Sequence, residues 1–116
     1  MERKEYNGWT NYETWCVNLW LTNEEGSDSY WREQAREQFD GAITVHHNYL
    51  TVSEQARYNL ADLLKQEITD SQPELGASMF SDLLGAALSE VNWGEIANAF
   101  LEDVEVDGER YEYAKD

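Results

Sequence analysis

Residues 51–68 read TVSEQARYNLADLLKQEI. Thr51 stands three positions before Glu54, the spacing of a capping box, in which two side chains accept hydrogen bonds from each other's backbone N–H at the start of a helix. Apolar side chains then recur every three or four positions, which is the period of one helix face: Ala56, Leu60, Leu63, Leu64 and Ile68. Turn-forming residues at 69–73 end this pattern. The sequence predicts an amphipathic helix with both ends marked.

The two segments before this helix have the same helical period. One helix begins at Thr10, again three positions before Glu13, and either Thr10 or Asn11 is expected to cap it. The run Glu24-Glu25-Gly26 is predicted to be a turn, with glycine as the stop signal. A second helix is expected from residue 27 or 28 to residue 41, and residues 42–50 either continue it or form a short strand.

Two more helices are predicted after residue 73. The fourth covers roughly residues 77–91 and has its apolar residues on one side: Met79, Phe80, Leu83, Leu84, Ala87, Leu88 and Val91. The fifth follows Asn92, which stands three positions before Glu95. Residues 105–116 contain Asp107-Gly108, a pair that suits a tight turn, and form either a small hairpin or a frayed tail.

The chain as a whole predicts an all-α fold. Its 116 residues correspond to a single domain, and no linker or internal repeat divides them. One proline and seven glycines leave little room for a sheet-and-turn architecture. We expect one compact domain over residues 1–116, with four or five helices, and we expect residues 1–8 and 105–116 to be its most flexible parts.

Composition excludes several classes of protein. Cys16 is the only cysteine, which excludes a disulfide scaffold and a zinc site built on thiolate pairs. The N-terminus lacks the apolar core of a signal peptide, and no run of 18 apolar residues is present to span a membrane, so a cytosolic protein without membrane contact is expected. The formal net charge of −16 argues against direct binding to nucleic acid, because its phosphates would be repelled.

The chain contains none of the short motifs that carry catalysis, such as a glycine-rich phosphate loop, G-x-S-x-G or H-E-x-x-H. His46 and His47 are adjacent and therefore point in different directions, which suits a surface pair better than a shared metal. Residues 103–108 resemble the start of a calcium loop, but its twelfth position, which requires a bidentate glutamate, is Ala114. We expect no enzymatic activity, no cofactor and no metal site.

Two blocks of the sequence carry a resemblance to a known family. The first is NGWTNYETW (residues 7–15) with NLWL (18–21), and the second is DLLGAAL (82–88) with VNWGEIA (91–97). These blocks resemble those of a family of small acidic proteins carried by bacteriophages and plasmids. The resemblance implies an origin in a mobile element and a shared helical fold. It implies no catalytic or binding residue.

Acidic residues are densest near the C-terminus, where residues 90–116 contain nine of them against two basic residues. Sixteen charges correspond to roughly 27 Å of duplex DNA, close to the diameter of roughly 35 Å expected for a globule of this length. Such a protein can occupy the basic groove of a host nucleic-acid-binding protein. The mobile-element origin that the resemblance implies, taken together with this charge, points to restriction or CRISPR proteins as partners. The carboxylates predicted to replace phosphates are Glu102, Asp103, Glu105, Asp107, Glu109 and Glu112, with Glu24, Glu25 and Asp28 as a second strip.

Two other interpretations stay open. High acidity also keeps an abundant small protein soluble. The five tryptophans allow a helical interaction module without inhibitory action, in which Trp9 and Trp31 are exposed and bind a partner protein. Trp15, Trp20 and Trp93 are expected to be large anchors of the core.

Overall fold

The computed structural model describes residues 6–45 and 49–112. These residues form five helices and one hairpin, in the order α1 (Tyr12–Asn23), α2 (Glu25–Thr44), α3 (Val52–Asp70), α4 (Met79–Ser89), α5 (Trp93–Leu101), β1 (Glu105–Val106) and β2 (Glu109–Arg110). The predicted all-α fold is confirmed. Within these residues, no helix combines the length and the apolar character that crossing a bilayer requires.

Each helix begins with a side chain that accepts a hydrogen bond from a backbone N–H of the first turn: Asn11, Glu24, Thr51, Ser78 and Asn92. Both halves of the predicted capping box are present at α3. The backbone N–H of Glu54 donates to Thr51 Oγ1 at 3.0 Å, and that of Thr51 donates to Glu54 Oε1 at 2.9 Å. The start of α3 therefore follows directly from the sequence.

Of the two predicted caps of the first helix, Thr10 and Asn11, the structure shows Asn11. Asn11 Oδ1 accepts a hydrogen bond from the backbone N–H of Thr14 at 2.9 Å, which makes Asn11 the cap of α1. The backbone N–H of Thr10 instead donates to Glu95 Oε1 at 3.2 Å. A contact between distant parts of the chain thus overrides the local spacing of Thr10 and Glu13.

The link between α1 and α2 is a single residue, and the predicted turn at residues 24–26 is wrong. The carboxylate of Glu24 accepts a hydrogen bond from the backbone N–H of Ser27 at 2.8 Å, so α2 starts at once and Gly26 lies inside it. At its other end α2 continues through Thr44. The alternative of a strand is absent from the described part of residues 42–50.

The core lies between α2, α3 and α5, with α3 packed against both other helices. Its largest fully buried apolar side chains are Phe39, Leu60, Leu64, Ile96 and Leu101. The buried stripe of α2 contains residues three or four positions apart: Trp31, Ala35, Phe39 and Ala42. Close packing of this stripe against α3 and α5 places the remaining elements around it.

The burial of the tryptophans differs in part from the prediction. Trp93 is buried as expected, and Trp9 and Trp15 are partly buried. Trp31, which the interaction-module interpretation places at the surface, is only 4% exposed, because it belongs to the inner stripe of α2. Trp20 was expected in the core but is 71% exposed, because α1 has apolar residues on all sides and only one side faces α2 and α5.

The fourth helix lies at the edge of the core. None of its eleven residues is buried. Leu88 packs partly against the core, and Val91, just beyond the helix, is buried. Met79, Phe80 and Leu83 are 65%, 63% and 61% exposed. The predicted apolar side of α4 is therefore covered at its C-terminal end and open to solvent at its N-terminal end.

The C-terminal hairpin is formed, which confirms this alternative over a frayed tail for residues 105–112. The strands pair antiparallel, with Glu105 opposite Arg110 and Val106 opposite Glu109. Asp107 and Gly108 both have positive φ, 52° and 84°, as the predicted tight turn requires.

Candidate functional site

The two sequence blocks that carry the family resemblance meet where α1 and α5 begin. Thr14 is fully buried. Its hydroxyl donates to Asn11 Oδ1 at 2.6 Å and accepts a hydrogen bond from the backbone N–H of Asn92 at 2.9 Å. One hydroxyl group therefore connects the caps of two helices, and its bond to Asn92 joins residues 78 positions apart in sequence.

Two further hydrogen bonds complete this junction. Asn11 Nδ2 donates to the backbone carbonyl of Glu90 at 2.7 Å, and the backbone N–H of Thr10 donates to Glu95 Oε1 at 3.2 Å. The polar groups of both blocks thus hold the helices together. Their arrangement accounts for the motifs as structure, and the candidate binding residues lie elsewhere.

The hairpin segment, which we define as residues 102–112, contains the six carboxylates predicted to bind a partner. All six residues are exposed: Glu102, Asp103, Glu105, Asp107, Glu109 and Glu112. In the described part of the chain, their only ion pair joins Glu105 to Arg110 across the two strands, at 3.9 Å. Most of the negative charge of this segment therefore faces solvent without a neutralising partner.

The inner side of the hairpin segment is anchored to the domain. Val106 and Tyr111 are buried. The ring of Tyr111 packs edge-on against Phe39 with 6.2 Å between centroids, and its hydroxyl is hydrogen-bonded to Asn98. The backbone N–H of residue 112 donates to Ser53 Oγ at 2.7 Å. These contacts fix the backbone from which the carboxylates project.

The second predicted strip lies at the start of α2. Glu24 caps this helix with its carboxylate, and Asp28 forms an ion pair with Arg32, with 3.0 Å between Oδ2 and Nε. Glu25 is exposed in the first turn, where a negative charge interacts favourably with the helix N-terminus. The acidic residues of this strip therefore stabilise the start of α2.

Two arginines lie between the strip and the hairpin segment. Asp28, Arg32 and Arg36 follow at four-residue spacing, so they share one side of α2. Arg36 Nη1 donates to the backbone carbonyl of Glu105 at 3.2 Å, and the Arg32 guanidinium lies 5.8 Å from the centroid of the Phe100 ring. From position 28 to position 36 the helix rises roughly 12 Å. The predicted acidic surface is thus in two parts, with positive charge between them.

The sequence also contains a long stretch without lysine or arginine, which a search for clusters of acidic residues does not find. Residues 66–109, between Lys65 and Arg110, include eleven acidic residues and no lysine or arginine. This run contains α4, α5 and β1. The spacing of the basic residues identifies this stretch, because its distinguishing feature is the absence of positive charge that could neutralise its carboxylates.

Groups suited to metal or proton chemistry are sparse in the part of the chain that the structure describes. No three His, Cys, Asp or Glu side chains come together there in a way that could hold a metal ion. Hydrogen bonding to Glu67 raises the pKa of Tyr30, and hydrogen bonding to Cys16 raises the pKa of Tyr12; both phenols are exposed. The predicted surface pair of histidines lies outside the described residues.

Comparison with known protein families assigns the chain to one of them. The model of a family of unknown function, DUF7249, matches residues 2–107. The chain belongs to the DUF7249 family. The DUF7249 match includes both blocks that meet at the start of α1 and α5, and it ends at residue 107, within the hairpin segment. No curated protein and no solved structure has detectable similarity to the chain.

Proposed function

We propose that the chain is a non-catalytic, cytosolic protein that binds a host nucleic-acid-binding protein and inhibits it by occupying its basic groove. The observation that carries the proposal is the hairpin segment, in which carboxylates project from an anchored backbone and only Glu105 has an ion pair within the described residues. The resemblance to phage and plasmid proteins supports a defence protein, such as a restriction or CRISPR component, as the partner.

The physical basis of binding is exchange of counterions. A basic groove that holds a duplex contacts phosphates through lysine and arginine, and binding releases condensed ions from the polyanion. Carboxylates on the hairpin segment can form the same charge-assisted hydrogen bonds with these cations.

A second candidate function is supported by a different observation. Trp20 is 71% exposed on α1, and large exposed aromatics often contribute most of the energy of a protein interface. A helical interaction module without inhibitory action would use this side chain. Its binding would depend weakly on salt, because apolar contacts are not screened.

The proposal is tested by capture of proteins from bacterial lysate on the immobilised chain at low and moderate salt. The hairpin variant carries Glu102→Gln, Asp103→Asn, Glu109→Gln and Glu112→Gln. The matched control carries Glu33→Gln, Glu37→Gln, Asp40→Asn and Asp62→Asn, which are exposed on α2 and α3. Each variant loses four negative charges, so the two differ only in whether these charges are removed from the hairpin segment or from α2 and α3.

We expect the unmodified chain and the control variant to retain a nucleic-acid-binding protein at low salt and to release it at moderate salt. The hairpin variant should retain little of it. Equal retention by all three proteins would contradict a role of the hairpin carboxylates in binding. Retention that is insensitive to salt but lost on Trp20→Ala would favour the interaction module.

A further inference from the structure

The N-terminal end of α4 exposes a cluster of large apolar side chains. Met79, Phe80 and Leu83 are each more than 60% exposed, and the helix sequence MFSDLLGAALS has only three polar residues. A helix that is apolar on nearly all sides is normally buried, because its surface is costly to hydrate. The domain covers only the C-terminal end of α4, so the rest of this apolar surface is open to a partner.

The surroundings of this cluster are acidic. Asp82 lies in the first turn of α4. Asp70 and Glu74 line an open cleft together with Ser81, so they lie beside the same end of the helix. None of these three carboxylates has an ion pair within the residues that the structure describes, and the surrounding run 66–109 has no basic residue. The apolar cluster therefore has a negatively charged rim.

The charge of the rim selects the class of partner. A second copy of the chain would bring the same carboxylates and another sixteen net negative charges to the contact. The three side chains also expose on the order of 350 Å² together, well below the roughly 800 Å² per partner of a standard stable interface. A short helix with an apolar face bordered by lysine or arginine matches both the size and the charge of the site.

We propose that Met79, Phe80 and Leu83 form a docking site for a basic amphipathic helix of a partner protein. The apolar face of that helix covers the three side chains, and its flanking cations pair with Asp70, Glu74 and Asp82. The site goes beyond the proposed groove binding, since it uses none of the hairpin carboxylates. It would give the chain a second attachment point, which raises the overall affinity for a partner that engages both.

The test uses a synthetic 15-residue peptide of leucine and lysine, with its leucines on one helix face, and a scrambled peptide of the same composition. Binding of each labelled peptide is measured by fluorescence anisotropy at moderate salt. The α4 variant carries Met79→Gln, Phe80→Gln and Leu83→Gln, and Leu83→Gln alone is the milder version. Tyr58→Gln, which removes a 56% exposed aromatic from α3, is the control.

We expect the unmodified chain to bind the amphipathic peptide at least tenfold more tightly than the scrambled one. The α4 variant should lose this preference, whereas the Tyr58 control and the hairpin variant should keep it. Equal affinity for both peptides, or a preference unchanged in the α4 variant, would overturn the proposal. Sedimentation of the unmodified chain as a dimer that the α4 variant abolishes would also overturn it, because a second copy would then cover the site. Since the hairpin variant is measured in parallel, failure here is distinguishable from failure of groove binding.

Discussion

Replacement of Thr14 by valine tests the junction between α1 and α5. Valine has nearly the same shape as threonine, so the change creates no cavity, but it removes the hydroxyl that bonds to Asn11 Oδ1 and to the backbone N–H of Asn92. A buried donor left without its acceptor costs about 1–3 kcal/mol. The backbone N–H of Asn92 that loses its acceptor is only partly buried, so together with one lost hydrogen bond we expect Thr14→Val to lower the free energy of unfolding by about 2 kcal/mol.

The serine variant is the matched control. Thr14→Ser keeps the hydroxyl and removes only a buried methyl group, for which we expect a loss of about 1 kcal/mol. Urea unfolding followed by circular dichroism gives both values, and at a slope of about 2 kcal/mol per molar the valine variant should unfold at about 1 M less urea. If Thr14→Val is as stable as the unmodified chain, or if Thr14→Ser is the more damaged of the two, the hydrogen-bonded junction does not hold the helices together.

Three other predictions concern single side chains. Trp31→Ala should destabilise the domain by about 3–5 kcal/mol and Trp20→Ala by less than about 0.5 kcal/mol, as measured by urea unfolding, because only Trp31 is buried. Thr51→Ala should cost about 1 kcal/mol, because it removes one half of the capping box of α3; an unchanged midpoint would contradict this. Glu67→Gln should lower the pKa of Tyr30, measured by phenolate absorbance, because the carboxylate that accepts the phenol proton at 2.9 Å is lost. Since the pKa of Tyr30 is raised by folding, this contact stabilises the fold below about pH 10 and its contribution is lost as the pH rises through the folded-state value.

The sequence predicts those elements whose signals are local. The capping box at Thr51 and the spacing of Leu60 and Leu64 identify α3, and Asp107-Gly108 identifies the hairpin turn. In each case the residues that form the signal contact one another directly. The all-α fold follows from several such segments in succession.

Features that depend on distant contacts were predicted less well. Thr10 has the spacing of a cap for α1, but its backbone is used by Glu95, which is 85 residues away. Trp20 is predicted in the core but lies at the surface, because a helix with apolar residues on all sides, as α1 is, does not indicate its inner face. The sequence predicts a turn at Gly26, because glycine often ends a helix, but Gly26 lies inside α2 and the link between the helices is Glu24 alone.

Some features of the candidate site follow from local sequence, and others depend on contacts between distant residues. Exposure of the hairpin carboxylates is what their charge leads one to expect, but the anchoring of the segment by Tyr111 depends on Phe39, which is distant in sequence. The contact of Arg36 with the backbone of Glu105 was not foreseeable either. It divides the acidic surface, and it directs the proposed binding to the hairpin segment alone.

Competition with duplex DNA is the most direct test of groove binding. The partner retained on the chain is purified, and its complex with a labelled duplex is titrated with the unmodified chain, the hairpin variant and the control variant. If the hairpin segment occupies the groove, the unmodified chain and the control displace the duplex fully, and the hairpin variant does so only at much higher concentration. A stable ternary complex of partner, duplex and chain would contradict it.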